Sequence, residues 1–194
     1  MQMRGDRQGP GLSALGAVLA LGAMLVGCET GPSEPGAGVV TTAPTGEWWN
    51  IAGDATGARY SPLDQINASN FANLQVAWEW RGATDAGIDL GGAVNARSLP
   101  IYARGKLITT SGPKRTVVAM DPTTGRTLWT FQEPETFRWE YSMRANHGKG
   151  VAYAEIDGRG VVYTTSPAFF LHALDAETGQ PLEGWGGAIP LEGF

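Results

Sequence analysis

The sequence has one cysteine, two histidines and only 17% charged residues among its 194 positions. A single cysteine excludes an intramolecular disulfide and a cysteine-based metal site. Lysine and arginine number 14 against 19 aspartate and glutamate, a net charge of −5, so the chain offers no electrostatic handle for nucleic acid. No phosphate-binding glycine loop, no Ser-His-Asp set in a recognisable context and no metal-ligand cluster stands in it. Long apolar runs are also missing, and the run from Leu12 to Val26 is too short for a comfortable membrane span. What is abundant is glycine, 28 residues, together with 12 prolines and seven tryptophans. This predicts a soluble, turn-rich protein of at most one or two domains.

Arg4 and Arg7 precede the apolar run, which has the shape of the h-region of an export signal. It ends in Leu25-Val26-Gly27-Cys28, a stretch that resembles the lipobox of bacterial lipoproteins. That resemblance implies cleavage before Cys28, acylation of Cys28, and a stable lipid anchor on the periplasmic side of a bacterial membrane. Glu29 in place of aspartate after the cysteine favours the outer membrane. An ordinary secretory signal, or a short anchor that is never cut, are the alternatives. Residues 1–28 are thus expected to be a lipoprotein signal peptide. Residues 29–46, rich in Pro, Gly, Ser and Thr, are expected to be a flexible linker, with the globular part running from 47 to 194.

The chain repeats itself. Val117 to Leu128, VVAMDPTTGRTL, aligns without gaps on Leu171 to Leu182, LHALDAETGQPL, an offset of 171 − 117 = 54 residues. Upstream, KLITTS (106–111) faces VVYTTS (161–166). Each unit reads as four short strands: SLPIY or GVAYAE, then KLITTS or VVYTTS, then TVVAMD or FLHALD, and finally TLWTF or the weaker LEGWG. Val, Ile, Thr and aromatic runs separated by Gly-bearing turns are antiparallel β. In the turns Asp121 and Asp175 cap the bend, and glycine takes the positive φ that restarts the strand. Asp54 and Asp64 read as turn caps too. Four strands per unit at this period predict an all-β β-propeller, with the Trp-bearing outer strand packing its indole between neighbouring blades. A β-meander or sandwich is the other architecture such strands allow. Two units are too few to close a ring, so the chain is expected to be an incomplete, N-terminal portion of a longer protein.

Ahead of the first unit lies EWWNIAGDATGARYSPLDQINASNFANLQVAWEW, Glu47 to Trp80. Trp49, Gly53-Asp54, Arg59-Tyr60-Ser61-Pro62-Leu63, Gln65-Ile66-Asn67, Asn73-Leu74 and Ala77-Trp78 together resemble the opening signature of the quinoprotein dehydrogenases that use pyrroloquinoline quinone (PQQ). The resemblance covers nearly all of Glu47 to Gly187. It implies about two units of an eight-bladed propeller holding PQQ and Ca²⁺ near its axis. It also implies oxidation of a small-molecule alcohol, polyol or sugar by hydride transfer to the quinone, with electrons passed to a quinone or cytochrome acceptor. The family's catalytic base, an Asp late in its chain, would lie beyond Phe194, so no catalytic residue is expected within these residues.

The resemblance places two cofactor contacts here. Where the family has an acidic or amide side chain before the inner strand of the first unit, this sequence has Arg97. Where it has Arg in RG(V/L)AY, this sequence has Lys149 in NHGKGVAY. Lysine keeps the charge without the bidentate fork, and an arginine suits a tricarboxylate. The bland readings are a solvated loop-end charge for Arg97 and a turn lysine for Lys149. His147 lies in the same loop and could reach cofactor or substrate, or serve as a turn residue with one hydrogen bond. His172, inside a strand, is expected to pack. Met143 and Arg144 stand near the paired cysteines that some alcohol-oxidising members carry, which favours a sugar or polyol over methanol. The competing function is a non-catalytic propeller lipoprotein acting as a protein-assembly scaffold, and a third is a quinoprotein that has lost its cofactor.

Overall fold

The computed structural model of the protein describes residues 38–54, 56–92, 98–141 and 150–186. Its strands are β1 Val39–Val40, β2 Ile101–Ala103, β3 Lys106–Ser111, β4 Thr116–Met120, β5 Thr127–Phe131, β6 Ala152–Ile156, β7 Arg159–Thr165 and β8 Leu171–Asp175. They form two four-stranded antiparallel sheets, ordered β2-β3-β4-β5 and β1-β6-β7-β8. Single helical turns, α1 Gly82–Asp85 and α2 Phe137–Glu140, and a 3-10 turn at Phe71–Asn73 lie in the connections.

The two repeats fold alike because their turns share one chemistry. The first hairpin of each unit closes on a non-glycine residue followed by glycine, both at positive φ: Arg104 (48°) with Gly105 (72°), and Asp157 (50°) with Gly158 (77°). That backbone matches the right-handed twist of the flanking strands. At the third-to-fourth turn Asp121 accepts from the Thr123 and Thr124 amides at 2.7 and 3.1 Å. Asp175 accepts from the Glu177 and Thr178 amides at 3.0 and 2.9 Å. Asp54 caps its own turn through Thr56 and Ala58. At Asp64 the expected side-chain cap is replaced: its carbonyl accepts from Asn67, and Asn67 and Asn70 bond across the turn.

The capping amides set the charge on these groups. The Thr123 amide holds the Asp121 carboxyl below the usual carboxylate range. At Asp175 burial pushes upward, but the Arg159 side chain and the Thr178 donors outweigh it and the result is again lowered. A depressed folded-state pKa contributes stability above the unfolded value and loses it as pH falls through the folded one. The urea midpoint is therefore expected to hold from neutrality down to roughly pH 4 and to drop below it. In the Asp121→Asn/Asp175→Asn variant that acid-dependent drop shrinks.

The sheets face each other across an apolar core. Ile101, Ile108, Val117 and Ala119 of the first meet Tyr153, Val162, Leu174 and Ala176 of the second, with Trp129 and Phe131 partly buried at its edge. Tryptophans lock the layers in a ladder. The Trp78 indole lies on Gly125, so closely that a Cβ there would stand 2.5 Å from the ring, and its Nε1 donates to the Pro122 carbonyl at 3.0 Å. Trp129 repeats this on the next sheet, lying still closer on Gly179 and donating to the Ala176 carbonyl at 3.1 Å. Pro122 and Ala176, like Gly125 and Gly179, are one repeat apart. The expected packing of a Trp between blades is therefore what the structure has, and it needs glycine at φ +72° on the receiving turn.

Two expectations differ from the fold. The fourth strand of the second unit does not form: Pro181 makes a single bridge to Leu174, and Gly184 and Gly186 follow at positive φ. Proline cannot donate to a ladder and such glycines break an extended run. The sheet gains its fourth strand at the opposite edge, where β1, from within the stretch read as a linker, lies beside β6 and pairs Val39 with Ile156 and Val40 with Glu155. The chain then runs to the first sheet, where Trp48 exchanges two backbone hydrogen bonds of 2.8 Å with Tyr102. Trp49 is 2% exposed and meets the Tyr153 ring edge-on at 4.6 Å.

Candidate cofactor-binding face

Two opposite ends of the paired sheets differ in chemistry. The end at the Arg104 and Asp157 hairpins is closed by ion pairs. Arg104 reaches Glu155 at 3.1 Å and Glu177 at 3.4 Å, and Lys106 reaches Glu177 at 2.6 Å. Glu47 accepts from the Arg104 amide at 3.1 Å and from the Trp49 indole, so the N-terminal segment is sewn to this end. Burial pushes the Tyr153 phenol well above its ordinary range beside it.

The other end is where β2 and β6 begin. Ser98, just ahead of β2, bonds Thr109 at 2.9 Å through their hydroxyls and accepts from the Thr110 amide at 3.2 Å. Gly150, just ahead of β6, adjoins it: a Cβ on Gly150 would stand 3.5 Å from the Ser98 hydroxyl. The two segment starts, far apart in sequence, are thus neighbours. Arg97 and Lys149 are the residues immediately before Ser98 and Gly150. Arg97, Lys149 and His147 lie outside the described residues, as do Met143, Arg144 and Cys28.

Two residues that sequence reasoning passed over belong to this end. Thr110 of β3 and Thr164 of β7, one from each Thr-Thr pair, are 8% and 5% exposed, and neither hydroxyl has a hydrogen-bond partner among the described residues. They share sheet faces with Ile108 and Val162 of the core between the sheets. A buried hydroxyl without a partner is costly, and such groups call for a bound polar partner. The only sequence signal was that both units carry Thr-Thr at the end of the second strand.

His172 packs as expected, its ring 5.1 Å from Phe131, and also meets Glu133 at 3.3 Å. Glu133 is 7% exposed and was not anticipated as part of any site. Among the described residues no group of three or more His, Cys, Asp or Glu could hold a metal ion. Nor is any helix among them long and apolar enough to cross a membrane.

Repeated four-stranded antiparallel sheets, layered through a tryptophan ladder, define a segment of a β-propeller. The profile of the PQQ family, described as the glucose/ethanol/alcohol dehydrogenase β-propeller domain, matches residues 48–192. The chain belongs to this family. It is 30% identical over 141 residues to quinohemoprotein alcohol dehydrogenase ADH-IIG of Pseudomonas putida, covering 70% of this chain and 17% of that one. It is 29% identical over 195 residues to the quinohemoprotein alcohol dehydrogenase of Comamonas testosteroni, covering 89% of this chain and 25% of that one. A crystal structure of a quinohemoprotein alcohol dehydrogenase from Comamonas testosteroni superposes with a TM-score of 0.54 at 29% identity, over 76% of this chain and 21% of that one. The chain therefore spans no more than about a quarter of the length of these relatives.

Proposed function

We propose that these residues are the N-terminal part of a PQQ-dependent dehydrogenase that oxidises the CH–OH group of an alcohol, polyol or sugar and passes the electrons to a respiratory quinone or cytochrome. What supports the reading is the family match over residues 48–192, together with the end where β2 and β6 begin, beside which the buried hydroxyls of Thr110 and Thr164 have no partner among the described residues. A tricarboxylate bearing quinone oxygens is a ligand that such an end suits. When bound, PQQ supplies the electrophile that accepts hydride.

The chain's own part is to hold that cofactor. Arg97 and Lys149, adjoining the neighbouring Ser98 and Gly150, supply positive charge for its carboxylates, and His147 a further ring nitrogen. Lysine acts here as a point charge, without the planar two-bond grip of an arginine. The resemblance puts the later Ca²⁺ ligands and the Asp that takes the substrate proton beyond Phe194. Met143-Arg144, in place of paired cysteines, favours a sugar or polyol over methanol. Lipidation at Cys28 would tether the protein to the periplasmic side of a bacterial membrane, the outer one by preference.

The test is reconstitution of the full-length protein with PQQ and Ca²⁺, followed by dye reduction with a panel of alcohols and aldoses. Turnover with at least one of them is expected. No PQQ binding, together with no dye reduction for any of them, sinks the enzyme reading. In the Lys149→Ala variant the PQQ dissociation constant is expected to rise roughly tenfold, the loss of one charge-assisted contact.

A further inference from the structure

The turn between β7 and β8 is held from outside its own sheet. Arg115, just ahead of β4, is 6% exposed, and its Nη1 donates to the carbonyls of Thr165 at 3.4 Å and Ser166 at 3.1 Å. Glu133, following β5, accepts from the Ala168 amide at 3.3 Å and meets His172 at 3.3 Å. Within the turn, Ser166 bonds Phe170 through its amide at 2.8 Å and its hydroxyl at 3.1 Å. A cation and an anion of the first sheet thus grip the carbonyls and an amide of one turn of the second.

Arg115 is unusual for its place as well as its burial. Its φ is 50°, a backbone region that glycine occupies freely and side chains resist. The 54-residue offset sets it against Phe169, also at positive φ, 64°, but 59% exposed. Both units therefore strain this turn position, and only in the first does the side chain reach the next sheet as a buried cation. Burying a guanidinium is costly unless its donors are used, so a conformation this unfavourable persists because the surroundings fix it.

The turn lies at the candidate cofactor end. The β6–β7 register pairs Ala152 with Tyr163, which carries Gly150 opposite Thr165 two residues further on. Gly150 in turn adjoins Ser98 of the first sheet. We propose that Arg115 and Glu133 are positioning residues, which from the first sheet fix the Thr165–Phe170 turn of the second and so set the spacing of the two strand ends that hold the cofactor. The inference rests on the PQQ-binding reading, and it adds that affinity for PQQ depends on two residues that do not touch it.

Two measurements on the full-length protein test it: equilibrium titration with PQQ, and hydrogen exchange at the amides of Ser166, Ala168, Phe169 and Phe170. In Arg115→Gln, exchange of those amides is expected to speed up and the PQQ dissociation constant to rise, each roughly tenfold, with Arg115→Lys intermediate. Arg104→Ala, which breaks the ion pairs at the opposite end of the same sheets, is the control, expected to leave both readouts unchanged. Should Arg115→Gln not fold, Glu133→Ala removes the other half of the grip and is read in the same way. Unchanged exchange in the variants overturns the inference. So does unchanged PQQ affinity where the wild type binds PQQ, or equal losses in the Arg104→Ala control. A wild type that fails to bind PQQ defeats the functional reading and with it the link to affinity, while exchange still decides whether the grip exists.

Discussion

Replacing Trp129 with alanine is expected to lower the unfolding free energy by about 3 kcal/mol, the lower end of the range for a large core aromatic because the indole is partly buried. The loss combines the apolar area of the indole, the hydrogen bond from its Nε1 to Ala176, and the hollow left above Gly179. Urea denaturation followed by far-UV circular dichroism reads it directly. The partner of this joint makes the prediction sharper. Gly179→Ala is expected to be destabilising by itself, because its Cβ would stand within 3.0 Å of the Trp129 ring at a φ of +72°. Once Trp129 is absent the collision is gone and only the backbone cost remains, about 1–2 kcal/mol. The double variant is therefore expected to be clearly less destabilised than the sum of the single ones. Strict additivity would mean that the indole does not lie on this glycine. Trp78 and Gly125 form the same joint one sheet earlier, and their cycle is expected to show coupling of the same sign.

Trp49→Ala is the second large effect, about 3–5 kcal/mol, since this ring is fully inside. Trp49 is buried against Tyr153, and the segment carrying it lies along both sheets, through β1 on β6 and Trp48 on Tyr102. Its removal also takes from Glu47 one of its two donors, leaving the Arg104 amide. Loss of this anchor is expected to expose residues 38–50 to protease before the sheets themselves open, which limited proteolysis with mass spectrometry detects. A variant cut no faster than the wild type would show that the segment is held by its backbone pairings, β1 on β6 and Trp48 on Tyr102, without the Trp49 ring.

Function and fold are written in different parts of the chain. The segment Gly53 to Asn67 pointed to the quinoprotein dehydrogenases, yet its Tyr60, Leu63 and Ile66 are exposed, and it takes no part in the ladders that build the sheets. The blades were legible elsewhere, in the Asp-x-x-Thr-Gly turns and the β-branched runs around them, because a turn's chemistry is written in adjacent residues. LEGWG misled for the same local reason: the tryptophan suggested a strand, while Pro181 and two glycines decided against one.

By itself the sequence determined the repeat, its period, the identity of its capping aspartates and glycines, and the family, since each is a relation between residues close in the chain or one period apart. Only the tertiary structure decided that Val39 and Val40 complete the second sheet, that Ser98 meets Gly150, and that Arg115 and Glu133 grip a turn some fifty and thirty-five residues away. Strand pairing and side-chain reach across a layered interface depend on register and on which face each residue takes. No local signal carries that information, and it exists only once the two sheets have come together.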